Sequence, residues 1–248
     1  MQIPSPHLAV PLACVEVGGG SIQTVVFDNG TEPRMLEGAH QPPGAVVAVA
    51  VPGVISGGVV REASNLGWKD ADPIERLGLE GPALVVLNDA EAAALGEAAL
   101  RSYDGRLVFI AIGTGIGGAV VDRGRVLRTN LFGHDAPGHG RSFGDRPCPC
   151  GRSGCLETEV AGWALPDPLD ARGLERVGRL LAEAIASHEL AATGLVVVGG
   201  GISRRYEAIV DHVRVFLHGR PVEATRAPIE AKSAAAWGLR SEVEGATR

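Results

Sequence analysis

The sequence predicts an α/β protein built in two similar halves. Three observations predict it. Strand and helix signals alternate along the chain, apolar strand signals end three times in glycine clusters, and the second half opens in the same order as the first, strand, glycine loop, strand.

Residues 12–18 are apolar apart from Glu16 and run into Gly18, Gly19, Gly20 and Ser21, which predicts a buried strand and a glycine turn. Residues 22–27 form the returning strand of a hairpin, followed by an Asp28-Asn29-Gly30 turn. A third buried strand covers 45–51, ended by Pro52-Gly53, and a fourth covers 83–87. Residues 89–100 are Ala-rich and predict a helix. In the second half, 107–112 is a strand, 113–118 a glycine loop and 119–121 the return strand, with a turn at 122–124 into a strand at 125–127. Helices are predicted over 174–188, 204–217 and 233–243, and a strand over 195–198, closed by Gly199, Gly200 and Gly201. The first dozen residues carry three prolines and predict a loose arm. Residues 133–154 are rich in Gly, Pro, Cys and His but poor in apolar side chains, so something other than a core must order them.

The 248 residues suffice for one large or two modest domains with a buried core. A net charge of -6 speaks against a nucleic-acid or anionic-membrane surface. The apolar run at 8–17 is short, is interrupted by Glu16 and lacks the basic start of a signal peptide. A cytoplasmic location is therefore expected, where structural disulfides are rare.

Glycine loops let backbone N–H groups approach phosphate oxygens without obstruction by a Cβ. The loops at 18–20, 113–118 and 199–201 each follow an apolar strand, so each is placed at a strand's carboxyl end, where α/β sheets bind ligands. Tight turns alone would use the same residues. Gly113, Gly115 and Gly118 also fit G-x-G-x-x-G, but a strand rather than a helix follows, which excludes the dinucleotide fingerprint.

Asn88-Asp89 lies where a buried strand meets a helix. An Asp there suits the proton-accepting part in phosphoryl transfer. Equally, Asn88 with Glu91 reads as a capping box with no catalytic role. Cys148, Cys150 and Cys155, with His139 or His134 upstream, offer a tetrahedral Cys3His zinc site, the alternative being three free thiols in a loop. Cys14, inside the first strand, reads as a small core residue.

These pieces, in this order, resemble the ROK family of the sugar-kinase/actin-like ATPase superfamily. Glu16-Val17-Gly18-Gly19-Gly20-Ser21 is similar to a worn D-x-G-G-T-K motif, and Asn65-Leu66-Gly67-Trp68 after Pro52-Gly53 to P-G…N-L-x-W. Asn88-Asp89-Ala90-Glu91 resembles N-D-A-N, Gly113 to Gly118 matches G-T-G-I-G-G, Cys148 to Glu157 matches C-x-C-G-x-x-G-C-x-E, and Gly199-Gly200-Gly201-Ile202-Ser203 is similar to G-G-G-[VI]-S. The resemblance implies a two-lobe actin-like (ribonuclease H-like) fold with the active site between lobes. Its lobes would be 1–103, joined by a C-terminal helix at 231–248, and 104–230, carrying a zinc loop at 134–157. It implies transfer of a phosphoryl group from ATP or polyphosphate, with Mg2+, to the 6-OH of a hexose or hexose-like sugar.

Under the resemblance Asp89 is the general base, and Asn65, Asn88, Asp89, His139 and Glu157 contact the sugar. Glu16, Gly18, Gly19, Gly20, Ser21, Gly113, Thr114, Gly115, Gly117, Gly199, Gly200 and Gly201 hold the donor, and His139, Cys148, Cys150 and Cys155 hold structural zinc. A homodimer without nucleic-acid or membrane partners is the assembly it admits. Two departures stand out. Glu16 replaces the family's Asp, with Gly20 and Ser21 for its Thr and Lys, and Ala136 stands where a sugar-binding Glu is usual. They keep open a catalytically impaired sugar-binding or regulatory protein as the alternative.

Overall fold

Short runs of Val, Ile, Leu and Ala become the inner strands of two five-stranded sheets, because a strand buried on both faces needs apolar side chains at every position. The computed structural model describes residues 10–18, 20–28, 32–128, 131–133, 143–227 and 234–246. These fall into two compact units, divided between Tyr103 and Asp104 and again between Thr225 and Arg226.

In the first unit β1 (Leu12–Val17), β2 (Ile22–Phe27) and β3 (Arg34–Glu37) form an antiparallel meander, and β4 (Val46–Val51) runs parallel to β1. A small antiparallel sheet follows, made of β5 (Val54–Ser56), β6 (Val59–Ala63) and β7 (Trp68–Ala71), and then the short helix α1 (Pro73–Leu77). The strand β8 (Val85–Asn88) adds in parallel beside β4, giving the order β3-β2-β1-β4-β8. Val15, Val17, Val47, Val49 and Val51 pack on Val60, Ala63, Ala71 and Ile74.

The helix α2 (Asp89–Arg101) packs on α7 (Ala234–Ala246), a segment far away in the chain. Their crossing is closed by two glycines. A Cβ on Gly96 would fall 1.8 Å from the Ala234 carbonyl oxygen, and one on Gly238 would fall 1.8 Å from that of Ala92. Glycine inside a helix costs about 1 kcal/mol against alanine, and here the close backbone approach offsets it. Beside the crossing, the fully buried Glu97 pairs with Arg101 and accepts the Arg226 N–H at 3.0 Å.

The second unit repeats the sheet. β9 (Leu107–Ile112), β10 (Ile116–Asp122) and β11 (Arg125–Arg128) form a meander; β12 (Leu195–Gly199) and β13 (Val222–Ala224) add in parallel, in the order β11-β10-β9-β12-β13. Between β11 and β12 lie α3 (Glu157–Val160) and α4 (Ala171–Ser187); α5 (Gly201–Arg205) and α6 (Ala208–Phe216) precede β13. Here α4 meets α6 at Gly178, whose Cβ would lie 2.3 Å from the His212 Cβ.

Several expectations are corrected. The loop expected at 113–118 is shorter: β10 begins at Ile116, so Gly117 and Gly118 are strand residues. Gly118 is needed for packing, since a Cβ there would lie 2.6 Å from the Phe109 carbonyl oxygen. Gly199 likewise ends β12 rather than sitting in a loop, with the Phe109 ring 2.9 Å from where its Cβ would be. The single helix expected over 204–217 is two, α5 and α6. Tyr206 interrupts it because its hydroxyl is anchored elsewhere, donating to Asp167 Oδ1 at 2.9 Å and accepting the Leu169 N–H. The helix α4 starts at Ala171, ahead of the expected 174, because Asp170 caps it through the Gly173 N–H at 2.7 Å. The arm before residue 10 lies outside the described residues.

Candidate active site

In the first unit β1, β4 and β8 are parallel and adjacent, with Glu16 opposite Ala50 and Ala50 opposite Leu87. Their carboxyl ends therefore share one sheet edge, as ligand sites in α/β folds do. Three chain segments leave from it. After β1 comes a tight turn closed by the Gly18 N–H donating to the Ser21 carbonyl oxygen at 2.8 Å. Gly20 and Ser21 are exposed at its tip, and Gly19 lies outside the described residues. After β4 comes Pro52-Gly53, where Gly53 has φ +106° and a Cβ would fall 2.1 Å from the Glu62 carbonyl oxygen. This contact ties the edge to β6, whose turn into β7 carries the exposed Asn65.

The third segment is Asn88-Asp89, and the structure divides its labour. Asn88 is the cap: its Oδ1 accepts the N–H groups of Ala90 at 3.0 Å and Glu91 at 3.3 Å, while Glu91 Oε2 accepts the Asn88 N–H at 3.2 Å. The Asn88 Nδ2 also donates to the Gly53 carbonyl oxygen at 3.0 Å. Asp89 keeps its carboxylate beside this cap, one oxygen accepting the Ala90 N–H at 2.9 Å. Burial pushes the Asp89 carboxyl up from 3.8 to about 6; the Ala90 N–H opposes the rise, and the charges of Glu16 and Glu91 add to it. Such a group can hold or release a proton near neutral pH. Glu16, half-buried, is held by its cross-strand neighbour: Gln23 Nε2 donates to Glu16 Oε2 at 2.7 Å.

In the second unit β9 and β12 are parallel, with Gly199 opposite Ala111, so the loops after them share an edge. Gly113 donates to the Gly115 carbonyl oxygen at 3.0 Å, closing a three-residue turn with Thr114 exposed. The segment after α3 lies against this turn: the Gly162 N–H reaches Gly113 O at 2.9 Å and the Trp163 N–H reaches Thr114 O at 3.3 Å. Gly200, at φ +92°, passes so close to Ile112 that a Cβ would be 2.3 Å from its carbonyl oxygen; Gly201 is open. Glu157 is buried at the start of α3, accepts the Trp163 Nε1–H at 3.2 Å, and sets one oxygen 3.1 Å from where a Cβ on Gly115 would be.

Two residues before Glu157 the Cys run folds on itself. Cys148 donates its N–H to Arg152 O at 2.7 Å, Gly151 donates to Cys148 O at 2.9 Å, and Gly154 donates to Arg146 O at 2.9 Å. Gly151 and Gly154 have φ of +83° and +69°, which L side chains rarely adopt. The Sγ atoms of Cys148, Cys150 and Cys155 lie within 4.8 Å of one another. Burial, with the neighbouring thiols, pushes Cys155 up to about 12 and raises Cys148. Three converging thiols, two of them kept protonated by burial, fit a cation such as zinc. His139 and His134 lie outside the described residues.

The structure thus gathers Glu16, Gly18, Gly20, Ser21, Asn88 and Asp89 on one edge, and Gly113, Thr114, Gly115, Glu157, Gly199, Gly200 and Gly201 around another, with the thiols joined to Glu157 through the chain. It moves Gly117 into a strand. Sequence reasoning missed Gln23 and Trp163. A rare Trp just past the Cys run was a usable signal, whereas the pairing of Glu16 with Gln23 depends on strand register.

The model for the ROK family matches residues 33–172 of the chain. A glucokinase of Halalkalibacterium halodurans is 29% identical over 80% of this chain and 63% of its own length. A polyphosphate glucokinase of Mycobacterium tuberculosis is 32% identical over 64% of this chain and 57% of its own. The chain therefore spans about three fifths of the curated relatives it matches. Among solved structures, a ROK hexokinase from Thermus thermophilus is 25% identical with a TM-score of 0.65, covering 96% of this chain and 100% of that one. With these neighbours the chain shares the two-lobe actin-like α/β fold.

Proposed function

The chain belongs to the ROK family, and from that premise we propose that it is a sugar kinase moving a phosphoryl group from ATP or polyphosphate onto a hydroxyl, the 6-OH, of a hexose or hexose-like sugar. Asp89 accepts the proton of the attacking hydroxyl. Phosphoryl transfer asks little covalent work of a protein; it needs a positioned acceptor and neutralised donor charge. The resemblance to the family assigns donor phosphates to the turns at Gly18 to Ser21 and Gly113 to Gly115 and to Gly200 and Gly201, where glycines leave room for a phosphate to approach the backbone. Glu157 orients the sugar, together with Asn65 and His139. The charge of Glu16 lies close enough to raise the proton affinity of Asp89, and two neighbouring acidic groups fit a magnesium ion accompanying the donor; the ion would supply charge neutralisation. Cys148, Cys150 and Cys155 hold structural zinc, with His139 as fourth ligand.

One observation carries the reading. The helix cap is supplied by Asn88, so Asp89 keeps a carboxylate at the sheet edge whose proton affinity suits a base near neutral pH. The test is a coupled assay over a panel of sugars, amino sugars and cyclitols with ATP and with polyphosphate. Turnover is expected for the native chain and its loss in folded Asp89→Asn; retained turnover removes Asp89 from the base role. Gly20 and Ser21 in the first turn, where the family has Thr and Lys, favour a second reading, a sugar-binding regulatory protein without turnover. Calorimetric sugar binding with no turnover on the panel would select it.

A further inference from the structure

We propose that the exposed ring of Trp163 is the stacking surface for the planar base of a nucleoside triphosphate, which makes a nucleotide rather than inorganic polyphosphate the preferred donor. The inference rests on the kinase reading above and deepens it.

Three tryptophans occur in the chain. Trp237 packs edge-on against Phe27 with centroids 5.1 Å apart, and Trp68 packs on the core of the first unit. Trp163 is different: 47% of it is exposed. Among the described residues it is the one tryptophan left open to solvent. Nor is it a loose side chain. Its Nε1–H is held by the buried Glu157 carboxylate at 3.2 Å and its backbone N–H by Thr114 O at 3.3 Å. The preceding Gly162 is wedged between the glycine turns, bonded to Gly113 O at 2.9 Å and set so that a Cβ would be 3.2 Å from the Ile202 Cδ1. Ile202 follows directly on Gly200 and Gly201.

The ring is therefore fixed in orientation at the seam of two turns suited to phosphates. A ligand with phosphates on those turns and a flat apolar group beyond them would meet an immobilised aromatic face, with little side-chain freedom left to lose on binding. Stacking on such a face is tolerant of base identity, so it selects for having a base rather than for which base. Inorganic polyphosphate has no group to place there.

The experiment compares the full-length chain with Trp163→Ala and Trp163→Phe, using ATP and polyphosphate as donors with one accepted sugar. Trp163→Ala should raise the KM for ATP about tenfold more than the KM for polyphosphate, the size expected for one lost base stack. Trp163→Phe keeps a ring but loses the Glu157 hydrogen bond, and should recover most of the ATP affinity. Equal KM changes for both donors overturn the proposal, as does Trp163→Phe failing as badly as Trp163→Ala. Equilibrium binding of ATP to the native chain and to Trp163→Ala is measured alongside. Should no sugar be phosphorylated, the kinase reading fails, and this measurement still decides stacking: weaker binding to the variant upholds it, equal binding or none overturns it.

Discussion

Replacing Asp89 by Asn should abolish turnover and, above pH 6, make the folded chain more stable. The amide copies the shape and neutrality of the protonated acid and still accepts the Ala90 N–H. What it removes is a charge held against burial and against Glu16 and Glu91. Burial moves proton release from 3.8 to about 6. Each tenfold change in proton affinity is worth about 1.4 kcal/mol, and a half-buried carboxyl keeps some water, so the charge costs the fold about 1–3 kcal/mol at pH 7. The sign follows from the direction. The folded state binds this proton more tightly than the unfolded chain, so the stability it contributes is whole below 3.8 and lost as pH rises through about 6. Urea denaturation of both proteins at several pH values should give curves that meet near pH 4 and separate by about 1–3 kcal/mol above pH 6.5. A separation that does not change with pH would refute the reasoning.

The same group should place an acid limb near pH 6 in the kcat/KM profile, since a base must be unprotonated; a profile flat from pH 5 to 8 contradicts this. Gly96→Ala or Gly238→Ala should destabilise the first unit by about 3 kcal/mol or more, seen by thermal unfolding, because each Cβ would sit 1.8 Å from a carbonyl oxygen of the facing helix. Purified chain should carry one zinc by mass spectrometry; Cys148→Ser or Cys155→Ser should lose it and open the segment around 143–157 to proteolysis. Native folded chain free of zinc would refute the site.

The sheets were legible because their inner strands are apolar at nearly every position, Glu16 in β1 being the exception; β1, β4, β9 and β12 fall within a residue or two of where their apolar runs put them. The edge and accessory strands β3, β5, β7 and β13 were not. Their residues are mixed, as in Trp68-Lys69-Asp70-Ala71, and they are strands because neighbours offer hydrogen bonds, which no local signal reveals. Glycine position was legible and glycine purpose was not. Gly117, Gly118 and Gly199 looked like loop residues, but strand register puts all three in strands, and close contacts with Phe109 make Gly118 and Gly199 packing residues. The ambiguity at Asn88-Asp89 could not be resolved from spacing, since both residues are good caps; it took the bonds of the Asn88 amide to show which one caps.

The helix that closes the first unit comes from residues 234–246, after the whole of the second unit has been translated. A ribosome emitting this chain can complete the continuous stretch from Asp104 to Thr225 while the earlier sheet still waits for its covering helix. The first unit can therefore close only after the second has been made. The half that bears Asp89 is finished last, and a chain interrupted before residue 234 would leave the notch at Gly96 without its covering helix.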